Sequence, residues 1–493
     1  MPKSLVNFVW SVLILFPIAV PVHGETGFLR AHQSVSGAGN FVARQLAVDP
    51  VSDAITLSGY YSGESIFAGL VMVSEGASDA FLIHLDEASG NRWVRQIRGA
   101  GVQQAHGVAV DGSGNRYVVG ESIGETFIEA NSAETEALSS PGKFMFVAKY
   151  DDQGNLLWHQ KATSDFQEAT GRCVAADAAG NVYVAGWFVG SGASFGTMNV
   201  AGSGGFTSFV AKYDADGGVD WVKTVAAPEA YIHAMIADAH GRVTVAGEFH
   251  GSAQIGEIQF SSAGLADIFV ARYSPDGTVL WATRYGGAGE DGARNVASDP
   301  AGGAVVVGHF SQTAAFDVHQ LTSAGGRDAF VAHCDASGNL SWAVGFGGAG
   351  EDAARAVDLH PLGRIAVGGE FSETLPIGDQ GLISRGGTDA FIAFFSPAGE
   401  LLSALSGGGA ANDVARSAVW QGQRLAVAGG FKSAATFGNI YLGTHSQFDA
   451  GELFLAHVGD DVPFSGIAGD FSGDGRVGLE DVISILQFLI SGR

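Results

Sequence analysis

The chain has 493 residues, 73 of them glycine, with 46% hydrophobic and only 16% charged residues. That is apolar enough to build a large core or several domains, and it excludes a disordered low-complexity chain. The formal net charge is −25 with no basic cluster to offset it, and cysteine occurs only at Cys173 and Cys334. Repulsion from phosphates argues against a nucleic-acid partner, and two thiols exclude a disulfide framework.

Residues 1–24 read as an export signal. Lys3 supplies the positive start, an apolar stretch runs from Leu5 to Val22 broken by Asn7, Ser11 and Pro17, and Val22-His23-Gly24 sets a cleavage position after Gly24. The competing reading is a membrane anchor, since the run is just long enough to span. No later segment is long and apolar enough to cross a bilayer. The expected location is extracellular or at the cell surface, with no stable membrane span after cleavage.

From residue 25 to 458 the chain repeats itself about every sixty residues, a period of repeat architecture. A Phe opens a strand at Phe81, Phe146, Phe209, Phe269, Phe330, Phe391 and Phe454. A polar Gly turn follows, such as Asp151-Asp152-Gln153-Gly154-Asn155. A second strand then carries Trp93, Trp158, Trp221, Trp281 or Trp342, with Ser403 in the sixth unit. A Gly-rich loop leads to a third strand, as in Arg294-Asn295-Val296-Ala297, and the fourth ends as in Gly247-Glu248-Phe249. Four short strands with turn chemistry between them form one antiparallel sheet, and stacked copies bury the faces that one sheet leaves open.

The two ends complement each other. The N-terminal part begins at a second strand near Ala31-His32-Gln33, continues through Arg44-Gln45-Leu46-Ala47-Val48-Asp49 and ends at Gly59-Tyr60-Tyr61. The last unit supplies only a first strand, Phe454-Leu455-Ala456-His457. Six whole units and one split unit predict an all-β, seven-bladed propeller of four-stranded blades, closed by pairing the C-terminal strand with the N-terminal three. On that alignment the two cysteines fall on different strands of non-adjacent blades, too far apart to bridge.

The segments Thr322-Ser323-Ala324-Gly325-Gly326-Arg327-Asp328-Ala329-Phe330-Val331-Ala332 and Ala336-Ser337-Gly338-Asn339-Leu340-Ser341-Trp342 resemble the bacterial β-propeller repeats often called SBBP repeats. The resemblance runs from about residue 29 to 458. It implies architecture and says almost nothing about activity.

Two positions recur with charge. The third strand carries Arg44, His106, Arg172, His233, Arg294, Arg355 and Arg416, and in three units a carboxylate precedes by three residues, at Asp291, Asp352 and Asp413. The expected arrangement is a blade-to-blade clamp of Arg on carboxylate; the alternative is a ring of positive charge that binds an anionic glycan or another anion. The first strand carries His84, Lys149, Lys212, Arg272, His333 and His457, with Phe394 as the exception. Asp86, Asp151, Asp214 and Asp335, two residues on, are the expected partners. No nucleophile elbow, His-Glu-x-x-His pair, phosphate loop or Cys-rich metal site is present. Glu290-Asp291 and Glu351-Asp352 have the residue types for glycosidase acid/base work, but they lie in a repeated loop.

Residues 459–469 read as a linker, and composition changes at 470–493. Asp470, Ser472 and Asp474, the backbone carbonyl of Arg476, and Asp481 occupy the oxygen-ligand positions of an EF-hand type loop, with Gly475 at its sharp turn and an apolar helix expected over Val482–Ile490. A hard cation with flexible oxygen coordination is expected there, hence Ca2+ rather than zinc. The segment resembles half of a type I dockerin, which implies a cohesin-like partner. The functional expectation is a non-catalytic extracellular binding or scaffold protein that meets a protein or glycan. The alternative is a carbohydrate-active enzyme or accessory subunit in extracellular polysaccharide degradation.

Overall fold

The structure, a computed structural model, describes residues 27–36, 39–131, 135–443 and 451–459. The leader, nearly all of the linker, the calcium-loop residues Asp470, Ser472, Asp474, Arg476 and Asp481, and the helix expected after them lie outside the described residues. All described regular structure is β. No helix among the described residues is long and apolar enough to cross a membrane.

The strands pair into four-stranded antiparallel sets. The first is Phe41–Val48, Ile55–Tyr61, Asp79–Leu85 and Arg92–Arg98. The second runs Val102–Val110, Arg116–Ile123, Lys143–Tyr150 and Leu156–Ser164, the third Glu168–Ala176, Val182–Val189, Phe206–Tyr213 and Val219–Val225. The fourth begins with Glu229–Ala237 and Val243–Ile255, the fifth with Gly292–Ser298 and Ala304–Phe316, the sixth with Ala353–Leu359 and Ile365–Ile377. The seventh joins Val414–Gln421, Arg424–Phe431, Glu452–Gly459 and, from the other end of the chain, Gly27–Gln33. The first strand of each set lies beside that of the next, and Val414–Gln421 lies beside Phe41–Val48, so the inner strands close a cycle. This is a β-propeller architecture, and it is built of repeats.

Closure differs from the expected pairing. Of the N-terminal strands only Gly27–Gln33 pairs with the C-terminal strand, with Arg30 opposite His457 and Gln33 opposite Phe454. Phe41–Val48 and Ile55–Tyr61 instead begin the first set. The sequence unit starts at the Phe strand, but the sheet starts two strands earlier, because the Gly-rich loop carries the chain from the outer strand of one set to the inner strand of the next. Phe41, Leu57 and Phe81 of the first set share a core with Ala426, Leu453 and Leu455 of the seventh, so the junction buries apolar surface as the other junctions do.

The recurring residues each have a packing reason. Every Phe that opens a strand is buried. A Cβ on Gly369 would lie 2.7 Å from the Phe391 ring, so the Gly-x-Phe strand end keeps Gly where a neighbouring Phe crosses it. The Trp of the outer strand reaches the next set: Trp93, Trp158, Trp221, Trp281 and Trp342 donate their indole N–H to carbonyls of Asp152, Ala215, Pro275, Ala336 and Pro397 at 3.0–3.2 Å. The sixty-residue period also contains an arm. The second and third strands of most sets extend as a hairpin back over the preceding set, as where Thr126–Glu129 pairs with Arg92–Arg98 and Gly192–Phe195 with Leu156–Ser164. That arm covers an outer edge that would otherwise stay open.

Candidate functional site

In each inner strand the register slips at one residue. Ala43 and Gln45 face Gly59 and Ser58, leaving Arg44 without an opposite number. The same slip leaves His106, Arg172, His233, Arg294, Arg355 and Arg416 unpaired. These are the seven recurring cationic or imidazole positions. A bulge inserts one unpaired residue and re-aims its side chain, and all seven line one central cavity of about 440 Å³.

The carboxylate partners are not the expected ones. Asp291, Asp352 and Asp413 accept backbone N–H groups instead: Asp291 from Gly287 at 2.7 Å and Ser311 at 3.1 Å, Asp352 from Gly348 at 2.7 Å and Ser372 at 3.2 Å, Asp413 from Gly409 at 2.7 Å and Lys432 at 3.2 Å. They staple the Gly-rich loops. The acids that meet the ring follow the glycine of the second strand, in Gly120-Glu121-Ser122, Gly247-Glu248-Phe249 and Gly369-Glu370-Phe371. Glu121 lies 3.8 Å from His106, and Glu248 lies 3.3 Å from His233 and 3.2 Å from Arg294. Glu370 accepts the Arg355 Nε at 2.8 Å. Glu248 joins His233 of one set to Arg294 of the next, so a clamp between neighbouring sets exists there with a different acid. Each of the three acids lies fifteen residues beyond a ring position of its own set, a spacing visible in the sequence.

Arg44, Arg172 and Arg416 have no carboxylate partner among the described residues. The corresponding positions hold Tyr60, Trp187 and Gly430. Arg44 sits over the Tyr60 ring at 5.2 Å. The buried Nε atoms of Arg44 and Arg416 have no hydrogen-bond partner. Burial and then the neighbouring guanidiniums, Arg44 first, pull Arg172 down to about 10, and burial and Arg44 do the same to Arg416. Both remain cationic at neutral pH. Burial holds His106 and His233 down to about 4 despite their glutamates, so these imidazoles are neutral there. The cavity lining thus holds five guanidiniums and one carboxylate, Asp358, with Glu248 and Glu370 paired to Arg294 and Arg355 and Lys143 3.7 Å from Glu121, in a chain whose formal charge is −25.

The second recurring cation also finds a different partner. Arg272 and His333 pair with Asp238 and Asp299 of the preceding hairpin, each at 2.7 Å. Lys149 donates to the Ala215 carbonyl at 3.0 Å, Lys212 pairs with Asp220 at 2.9 Å, and His84 stacks on Trp93. His457 accepts the Arg30 Nε at 2.8 Å. Asp86, Asp151, Asp214 and Asp335 cap their own turns through backbone N–H groups, the local bond that Asp offers a turn. Cys173 and Cys334 are free and buried.

Of the acid/base candidates, Glu351 and Asp352 border a hollow of about 530 Å³ together with Arg327, Glu370 and Arg416. Asp291 and Asp352 are buried under backbone donors, and Glu351 pairs with Arg327 at 2.7 Å. Among the described residues no group of three or more His, Cys, Asp or Glu side chains is placed to hold a metal ion. The calcium-loop residues Asp470, Ser472, Asp474, Arg476 and Asp481 lie outside this description.

No family model matches the chain. An uncharacterized WD repeat-containing protein of Acanthamoeba polyphaga mimivirus is 25% identical over 231 residues, covering 40% of this chain and 17% of that protein. The chain therefore spans about one sixth of that relative. Among solved structures, a putative 6-phosphogluconolactonase from Bacteroides uniformis overlaps 79% of this chain and 97% of its own, at 14% identity and a TM-score of 0.38. The calcium-binding protein regucalcin from Agrobacterium tumefaciens overlaps 56% and 85%, at 14% identity and a TM-score of 0.20. Scores this low say nothing about ligand or chemistry.

Proposed function

We propose that this chain is an exported, non-catalytic binding or scaffold protein. Each four-stranded set is one blade of a seven-bladed propeller, the propeller is the recognition surface, and residues 470–493 form a calcium-dependent attachment device of half-dockerin type. The observation that carries the binding reading is the ring of seven bulged residues. Their backbone geometry aims side chains into the channel, and three of the guanidiniums lack the carboxylate that a structural role would supply. Of the repeated acids, by contrast, Asp291 and Asp352 are occupied by backbone N–H groups and Glu351 by Arg327. Capture of glycans and proteins from the native cell surface by the full chain, with and without calcium, tests the proposal. Retention of a defined partner supports it; hydrolysis of a captured glycan without retention overturns it in favour of an enzyme.

The tail has its own test. Asp470, Ser472 and Asp474, the Arg476 carbonyl and Asp481 would ligate Ca2+ with a dissociation constant on the order of 10⁻⁵ to 10⁻³ M, the range of weaker extracellular sites. Titration calorimetry should detect that heat in the full chain and lose it in the double variant Asp470→Ala/Asp481→Ala. Absence of heat in the unaltered chain at millimolar calcium would remove the attachment role.

A further inference from the structure

Resting on the binding reading above, we infer that the ring is the mouth of a specific site for a compact dianionic oxyanion: a dicarboxylate, or a phosphate or sulfate ester. The argument starts from orphaned donors. A buried N–H without an acceptor is costly, and natural proteins rarely leave one. Arg44 and Arg416 each leave a buried Nε in that state, and they belong to adjacent inner strands, the first and the last of the cycle. Arg172 completes the group two sets further on, with His106 between it and Arg44. Guanidinium presents its donors as a planar fork that fits carboxylate, phosphate or sulfate oxygens.

Charge sets the size of the guest. Arg294 and Arg355 are matched by Glu248 and Glu370, and Glu121 has Lys143 at 3.7 Å. Arg44, Arg172 and Arg416 against Asp358, the one carboxylate in the cavity lining, therefore leave an excess of two positive charges once the imidazoles are neutral. A guest carrying two negative charges neutralises the mouth. A long polyanion would instead have to cross the surface of a protein with a formal charge of −25, against a repulsion that salt only partly screens. Space agrees. The channel offers about 440 Å³, a volume that suits a small molecule rather than a folded partner. The hollow of about 530 Å³ that Arg416 also borders carries Glu351, Asp352, Glu370 and Glu452 and does not favour an anion. The site is open to solvent, since the side chains of Arg355 and Arg294 remain 32% and 22% exposed.

Titration calorimetry of the full chain with malonate, sulfate and inorganic phosphate, against chloride at matched ionic strength, tests the inference. Saturable binding of at least one dianion is expected, and the preferred one identifies the source chemistry. Arg416→Gln and Arg172→Gln should each weaken it roughly tenfold or more, the scale of a lost charge-assisted hydrogen bond. Arg92→Gln, on the outer surface, should leave it unchanged. Glu370→Gln, which releases Arg355 from its acid, should tighten it, a gain that a poorly folded variant cannot imitate. No binding above chloride, or binding indifferent to both arginine variants and to Glu370→Gln, overturns the site. If macromolecular partners are captured while no dianion binds, this inference falls and the wider binding reading stands.

Discussion

Asp413 is fully buried, and burial, with the charge of Asp389 beside it, pushes its carboxyl up to about 7. Unfolding returns it to about 3.8, so the folded chain holds this proton more tightly. The stabilisation is complete below about pH 4 and is lost as the pH rises through 7, with a slope approaching 1.4 kcal/mol per pH unit. His106 and His233 act in the opposite sense. Held down to about 4 from 6.5, they stabilise the fold above pH 6.5 and lose that contribution as the pH falls to 4. Denaturation of Asp413→Asn and the unaltered chain across pH 4 to 7 isolates the carboxyl: the unaltered chain should lose stability relative to the variant as the pH rises. At the ring, Arg355 and Glu370 are 32% and 21% exposed. A double-mutant cycle should return a coupling of about 0.2–1 kcal/mol, as for solvated pairs. Asp352 is different. Asp352→Ala strips acceptors from two backbone donors and should cost about 1–3 kcal/mol. The recurrence of the ring cations was legible in the sequence. Their unpaired placement was not, because a bulge is a matter of strand register that residue types do not encode. The acid fifteen residues on was a readable signal overshadowed by the nearer Asp.

At the scale of strands and turns, five junctions share one clasp: an outer-strand Trp that donates to the turn of the next set and lies against that turn's Gly. Gly338 shows why the pair recurs. Its φ is +85° and a Cβ there would lie 2.6 Å from Trp281, so the position needs both left-handed backbone and an empty face. Gly338→Ala should cost at least about 1 kcal/mol in chemical denaturation, whereas Ala at exposed Gly381, where a Cβ meets nothing within 4 Å, should cost little. The clasp is missing at two junctions. The sixth set has Ser403 for Trp, and its neighbour, the seventh, has no turn to receive an indole, because its two outer strands are opposite ends of the chain. Between the seventh and first sets an ion pair of Arg30 with Glu87 stands in its place. The Trp and Gly positions were evident from the repeat. Their joint role was not, since they meet across 56 to 61 residues and only the packed sets bring them together. The hairpin arms were likewise hidden inside the extra length of the period.

For the molecule as a whole, the cycle depends on one pairing between ends. Gly27–Gln33 binds Glu452–Gly459, and Ser34 exchanges hydrogen bonds of 2.9 Å with Leu453. Deleting Gly451 to His457 removes Leu453 and Leu455 from the core shared with the first set and should destabilise the whole propeller by several kcal/mol through lost burial. A truncated chain that melts like the parent would show that the cycle is held without this latch. The same pairing has a consequence in time. Arg30 and His457 are separated by 427 residues. At about 5–20 residues per second of synthesis, the first of these strands waits roughly 20 to 90 s for its partner. Throughout that interval the growing chain cannot complete its last sheet. The first six sets draw on consecutive strands alone, so closure of the cycle is the one step that must wait for the last strand.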